Sequence, residues 1–286
     1  MYVILIQKES NVTMQAIYDF FLGWTSYGFM KNAFIAILLI TPVFGLLGSM
    51  IVNNKMAFFS DALGHSALTG AGIGAALGIA SINVSMVLFS VIFAIGIVTI
   101  KYAGKASMDT TIGVFSSVAV ALGLVLLSGV GYNKYSSLIV GDILSITQKE
   151  LIMLAALLAV VLVVWMLMRK KLMLVSVSPS IATSRGVNVM AVEMVFTVLI
   201  AFVVTVSIKW IGLLIINSLF ILPAAAARLV AKNMRQYVGL CVIISVICGL
   251  VGLFTAFHAG TPAGATISLY CGILYFALFA KKGVKI

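Results

Sequence analysis

The chain alternates long apolar runs with short breaks of polar, charged, glycine or proline residues. Cutting at those breaks leaves nine segments, roughly 32–52, 57–80, 83–104, 110–130, 150–168, 189–208, 210–230, 237–256 and 263–280. A helix that crosses a bilayer needs about 20 predominantly apolar residues, and each segment is close to that length. Short segments of alternating polarity, the mark of a transmembrane barrel, are not visible. The pattern predicts an all-α fold: a polytopic transmembrane helical bundle of about nine spans. The turn at Ile208, Lys209 and Trp210 is so tight that two segments also read as half-spans, which makes eight the alternative count.

Composition sharpens this reading. Of 286 residues, 63% are hydrophobic and 9% charged, against about 25% charged in a soluble domain. Net charge is +11, from 18 basic and 7 acidic side chains. In a membrane chain that excess reflects basic residues gathering in cytoplasmic loops rather than nucleic-acid binding. Placing the 169–188 loop inside leaves only Lys8, Lys31, Lys134, Lys149 and Lys209 outside, so 13 of the 18 basic residues fall on the inner side. The N-terminus is then outside and the C-terminus inside. Residues 1–28 read as an extracytoplasmic, interfacial segment, dense in Tyr18, Phe20, Phe21, Trp24 and Tyr27, as expected of a helix lying on a leaflet. Residues 29–286 read as one transmembrane domain. The opening MYVILIQKES has no basic n-region, adequate apolar core or cleavage site, and does not read as a signal peptide. Cys241, Cys248 and Cys271 sit in apolar runs without metal or disulfide spacing, which predicts small buried hydrophobes.

The chemistry concentrates in 57–80. Asp61 and His65 stand at i and i+4, on one helical face, and a carboxylate beside an imidazole can chelate a divalent transition metal. Counting about 1.5 Å per residue from Lys55 places His65 near mid-membrane, where ionisable groups usually mark a substrate path. The competing reading is structural, with the two bonding each other or a backbone carbonyl. Gly70, Gly74 and Gly78 form a small-xxx-small row suited to close helix packing. With no GxxxxGK[ST] motif in the chain, any ATP is bound by another polypeptide. In the 169–188 loop a short helix opens at Pro179 and ends near Gly186, either as part of an ordinary basic loop or as a docking element for an ATPase.

Weaker expectations attach to other polar groups. Glu193 reads as interfacial, His258 as a solvated or capping residue in an outer loop, and Asp142 as a cap for a short helix. Pro42 and Pro223 fall inside spans, and Asn217 and Ser218 are placed to satisfy backbone opened by Pro223. Two histidines and no GxSxG elbow argue against an enzyme; no catalytic residue and no permanently bound cofactor are expected.

Three blocks carry a resemblance. FFSDALGHSALTGAGIGAALGI is similar to a second-helix block Asp-Ala-x-x-His-x-x-x-x-Gly. VSPSIATSRGVNV resembles a coupling segment Asp-Pro-Glu-x-Ala-x-x-x-Gly, and LLIINSLFILPAAAARLV a late-span block ending Leu-x-x-Pro-Ala-x-x-Ala. With TPAGATISL near residue 261, they make the chain similar, from about residue 27 onward, to the membrane permeases of bacterial metal-ion ABC importers of the zinc, manganese and iron type. The resemblance implies that Asp61 and His65 are the intramembrane metal pair and that Pro179, Ala182 and Gly186 belong to the ATPase-coupling segment. Ser178 and Ser180 depart from the pattern, standing where acids are common. It further implies a homodimer in the bacterial cell membrane, cytoplasmic ABC ATPase subunits, an extracytoplasmic metal-binding protein, and transport by alternating access. A proton-coupled secondary transporter or channel using the same pair is the alternative, weakened by the lack of a second deep acid for a proton relay.

Overall fold

The computed structural model describes residues 26–79, 81–104, 107–130 and 137–283. The expected aromatic N-terminal segment lies almost wholly outside them. Among the described residues the chain is helical without strands. Each of the nine apolar segments forms a helix: α1 (Gly28–Asn53), α2 (Phe59–Ala76), α3 (Ile82–Ala103), α4 (Met108–Val130), α6 (Gln148–Val177), α8 (Val189–Ile211), α9 (Leu213–Val230), α10 (Met234–Ala259) and α11 (Ala263–Gly283). Short helices α5 (Ser137–Val140) and α7 (Pro179–Ser184) and a 3₁₀ turn at Ile143–Ser145 fill the connections. Among the described residues seven helices are long and apolar enough to cross a membrane. The other two long ones, α2 and α9, are 18 residues each and carry glycine, polar residues or proline inside them.

Of the boundaries that differ from expectation, two change how the elements connect. The helix after the outer loop does not stop near residue 168; α6 runs 30 residues to Val177 and takes Arg169, Lys170 and Lys171 with it. Arginine and lysine are good helix formers, and nothing requires the helix to end where its apolar face does. The supposed loop 169–188 is thus mostly helix. The turn placed at 208–210 lies instead at Gly212, with φ 92° and ψ 147°, a conformation open essentially to glycine. Lys209 and Trp210 are the last turn of α8.

Packing divides the bundle in two. In one group α9 and α10 pack on each other and on both α1 and α11, with Phe44 of α1 edge-on to Phe220 of α9 at 4.6 Å. Gly45 and Gly48 let the α10 and α9 backbones come against α1. In the other group α2 packs on α3 and α4, and α3 on α8. Gly70 and Gly74 rest on the α3 backbone and Ser85, as the small-residue row predicts. Gly78 does not share that role: it lies beyond α2, at φ 67°, with open space around it. The groups meet where α9 touches α2 and α8.

Side-chain bonds gather the helix ends into two sets. Asn53 reaches Ser176, and Lys101 pairs with Glu193 at 2.5 Å; Lys209 pairs with Glu150, and Asn32 bonds the Ile146 carbonyl. That sorting is what helices running alternately up and down require. The three cysteines are free and buried, as expected. Neither Asn217 nor Ser218 serves Pro223: the Ser218 hydroxyl pairs with that of Ser268 and reaches the Ile215 carbonyl, and Asn217 is engaged elsewhere. A proline frees the carbonyl four residues before it, here Leu219, which both side chains miss.

Candidate metal site on α2

The first two turns of α2 carry Asp61 and His65, and the helix is held on several sides. Ser60 donates its hydroxyl hydrogen bond to the Asn217 side-chain oxygen on α9. Ser66 bonds Ser90 of α3 at 3.1 Å, and Thr69 donates to the Ala119 carbonyl of α4 at 2.6 Å. Gly123 leaves room for that hydroxyl, since a Cβ there would stand 2.8 Å from it. The helix bearing the pair is thus pinned to three neighbours by buried hydroxyls, one of which, Thr69, lies a turn beyond His65 on the same face.

Asp61 Oδ2 and His65 Nε2 stand 3.7 Å apart, with side chains 41% and 25% exposed. That separation is too long for a hydrogen bond, and among the described residues neither side chain makes one. The two side chains stand within ion-pair reach of each other without a hydrogen bond between them or to a carbonyl. Two ligand atoms bound tetrahedrally at about 2.1 Å to one ion stand about 3.4 Å apart, so a small rotamer adjustment suffices for both to hold one cation. His65 also borders a crevice of about 210 Å³ lined by Thr69 and Leu68 of α2, Ala119 and Gly123 of α4, Ile139 of α5 and Leu213 of α9. Among the described residues no group of three or more histidine, cysteine, aspartate or glutamate side chains could hold a metal ion.

The second predicted element is in place as a helix. Ser178 caps α7, accepting a hydrogen bond from the Ile181 amide, and Pro179 occupies the first turn. The Ser178 substitution for an acid removes a charge but not the cap, because either side chain offers the oxygen. Ala182 is fully buried, which fixes α7 against the bundle. Gly186, at φ 73°, closes α7: its amide reaches Thr183 and the Val187 amide reaches Ala182, a left-handed cap. Around it Val177, Ile181 and Met190 are exposed apolar side chains. The remaining residues singled out in the sequence stand apart from the pair. Glu193 is not simply interfacial but paired with Lys101. Asp142 accepts from the Leu144 amide at 3.0 Å and caps the 3₁₀ turn. His258 lies within α10, its Nδ1 on the Phe254 carbonyl. Sequence reasoning missed Ser60, Thr69 and Asn53, whose partners lie far along the chain and leave no local signal.

A multi-pass helical bundle with a carboxylate–imidazole pair on a partly open helix face, and a capped helix projecting apolar residues at one end, has the features of a membrane permease for cations. The chain belongs to the ABC 3 transport family, whose model matches residues 26–282. It is 31% identical over 239 residues to the high-affinity zinc uptake system membrane protein ZnuB of Haemophilus influenzae, covering 82% of this chain and 91% of that one. It is 25% identical over 266 residues to the manganese transport system membrane protein MntC of Listeria innocua, covering 91% and 94%. Its fold matches PsaBC from Streptococcus pneumoniae, solved in complex with Fab, with a TM-score of 0.80, 25% identity and coverage of 92% and 95%. The chain is a multi-pass membrane protein of the metal ABC importer type.

Proposed function

We propose that the chain is the translocating subunit of an ATP-driven importer for a divalent transition-metal ion: zinc, manganese or iron(II). The observation that carries this reading is the Asp61–His65 pair, 3.7 Å apart, free of hydrogen bonds and partly open on α2. The zinc and manganese transport systems named for its relatives favour those two cargoes. A symmetric homodimer that brings two copies of α2 together completes the site with two carboxylates and two imidazoles. Such a set is borderline in softness, suited to zinc, manganese or iron rather than to calcium or magnesium.

In this reading the N-terminus is outside and the C-terminus inside, and 29–286 form a single permease domain after an extracytoplasmic segment. An extracytoplasmic binding protein delivers the ion, and cytoplasmic ATPase subunits grip α7 through Pro179, Ala182, Gly186 and the exposed Ile181. Their closure on ATP shifts α7, and the site alternates between outward and inward access. Release follows when the two copies of α2 separate and each ion is left with half its ligands.

The test uses the assembled transporter in vesicles with radiolabelled metal. Asp61→Asn keeps shape but removes charge, and His65→Ala removes the nitrogen ligand. Both are expected to assemble at parental levels and to lose uptake by at least ~100-fold, a loss consistent with removing a charged ligand from a low-dielectric site. Parental transport by assembled Asp61→Asn would overturn the site.

A further inference from the structure

The segment between α1 and α2 ties the proposed metal pair to the proposed docking helix, and one side chain makes the tie. Asn53 is the last residue of α1, and its Nδ2 donates to the Ser176 hydroxyl at 2.6 Å. Ser176 in turn bonds the Met173 carbonyl at 2.9 Å, and lies two residues before Ser178, the cap of α7. α7 is only six residues long and packs on the adjoining ends of α6 and α8. Any displacement of α7 therefore moves the end of α6, and with it the hydroxyl that holds Asn53.

Downstream of Asn53 the chain has no slack. The Asn54 amide bonds Met50, the Lys55 amide Val52 and the Met56 amide Ile51, with Lys55 at φ 57°. That bond set is a Schellman cap, in which the left-handed position normally belongs to glycine. Among the described residues Lys55 is the single non-glycine residue at positive φ. Met56 and Phe59 are buried on either side of the connection, and the Phe59 amide bonds the Met56 carbonyl. α2 begins at once, with Ser60 pinned to Asn217 and Asp61 next in the chain. A strained turn with the Asn54, Lys55, Met56 and Phe59 amides bonded, held between two fixed points, moves as a unit.

We infer that Asn53 is a positioning residue that couples α7 to the Asp61–His65 pair, through its bond to Ser176 and the rigid Lys55 turn. The inference rests on the reading of α7 as the ATPase-docking helix. Loss of the Asn53–Ser176 bond frees the end of α6 from the turn, so ATP-driven movement of α7 no longer reaches α2.

The experiment compares the parent, Asn53→Ala, Ser176→Ala and the double variant, each as the complete transporter with its ATPase in vesicles. Readouts are the amount of ATPase retained, the rate of ATP hydrolysis, and zinc or manganese ions taken up per ATP hydrolysed. Each single variant is expected to retain the ATPase and hydrolyse within ~2-fold of the parent, while ions per ATP fall ~5-fold or more, in the range of coupling effects at sites remote from ligand. The double variant falls no further than either single, as residues acting through one bond require. An unchanged ratio in both singles overturns the inference, as does a double variant whose losses multiply. Should Asn53→Ala fail to assemble, Ser176→Ala removes the same bond by deleting one oxygen and decides the matter alone. Gly186→Val, measured alongside, separates this from the docking reading: full ATPase retention there refutes docking by α7, whereas an unchanged ratio confined to the Asn53 and Ser176 variants refutes only the tie.

Discussion

Single residues here act through backbone conformation as much as through their side chains. Lys55 and Gly186 occupy the same structural position, the left-handed residue of a helix cap, at φ 57° and 73°. Glycine adopts it freely, while a residue with a Cβ pays roughly 1 kcal/mol. Lys55→Gly is accordingly expected to raise the stability of the detergent-solubilised protein by up to ~1 kcal/mol, less whatever glycine's added freedom in the unfolded chain takes back. A thermal-unfolding series would check it, and a clear loss of stability would show that the lysine side chain contributes more than the strain costs. Gly186→Val carries the opposite sign: no neighbour stands near its Cβ, so the expected effect is a distorted α7 cap and lower ATPase co-purification with the bundle intact. The proximity of Asp61 and His65, the proposed metal pair, was legible because their spacing is local: two side chains four apart on one helix need no tertiary information. Asn53 and Ser60 were not, since their partners Ser176 and Asn217 lie 123 and 157 positions away. An amide or hydroxyl in an apolar run announces only that it wants a partner.

At the level of elements, hydrophobic pattern located the long helices among the described residues but misjudged where several of them stop. Pattern marks where apolar character ends, whereas a helix continues until its backbone is capped or broken; α6 passes three basic residues before Ser178 interrupts it. The α8–α9 break shows the reverse. Lys209 and Trp210 look like a turn by polarity, yet the chain turns at Gly212, where two backbones meet. A Cβ on Gly212 would fall on the Val140 carbonyl, and one on Gly141 would fall on the Ile211 carbonyl. Gly212 also has a conformation nearly closed to other residues, and Leu213 beside it walls the His65 crevice. Gly212→Ala therefore combines backbone strain with a clash, and is expected to destabilise by roughly 2–4 kcal/mol. The measurement is the yield of folded protein against temperature. A variant folding as stably as the parent would mean that the α5 segment and the α8–α9 turn can separate without cost.

For the whole molecule, the proposed mechanism joins a metal site shared between two copies to an ATPase carried on another subunit. Asp61 and His65 supply two ligands, and among the described residues no further histidine, cysteine, aspartate or glutamate joins them. In the proposed mechanism two ligands on a partly exposed face hold a divalent ion weakly, four from a symmetric pair hold it well, and separating the copies returns each to the weak state. That gives a two-state affinity change of the kind a pump needs, provided something drives the separation. The sequence has no phosphate-binding loop, and α7 offers a capped helix with exposed apolar side chains at the bundle's end. Uptake in vesicles is therefore expected to require the ATPase subunit and ATP, and to be indifferent to an imposed proton gradient. Metal bound per permease at equilibrium should approach one ion for two copies, with Asp61→Asn in one copy of a mixed dimer weakening binding for both. Vigorous uptake driven by a proton gradient in the chain alone would transfer the energy source to the membrane, and would make His65 a proton carrier rather than half of a shared ligand set.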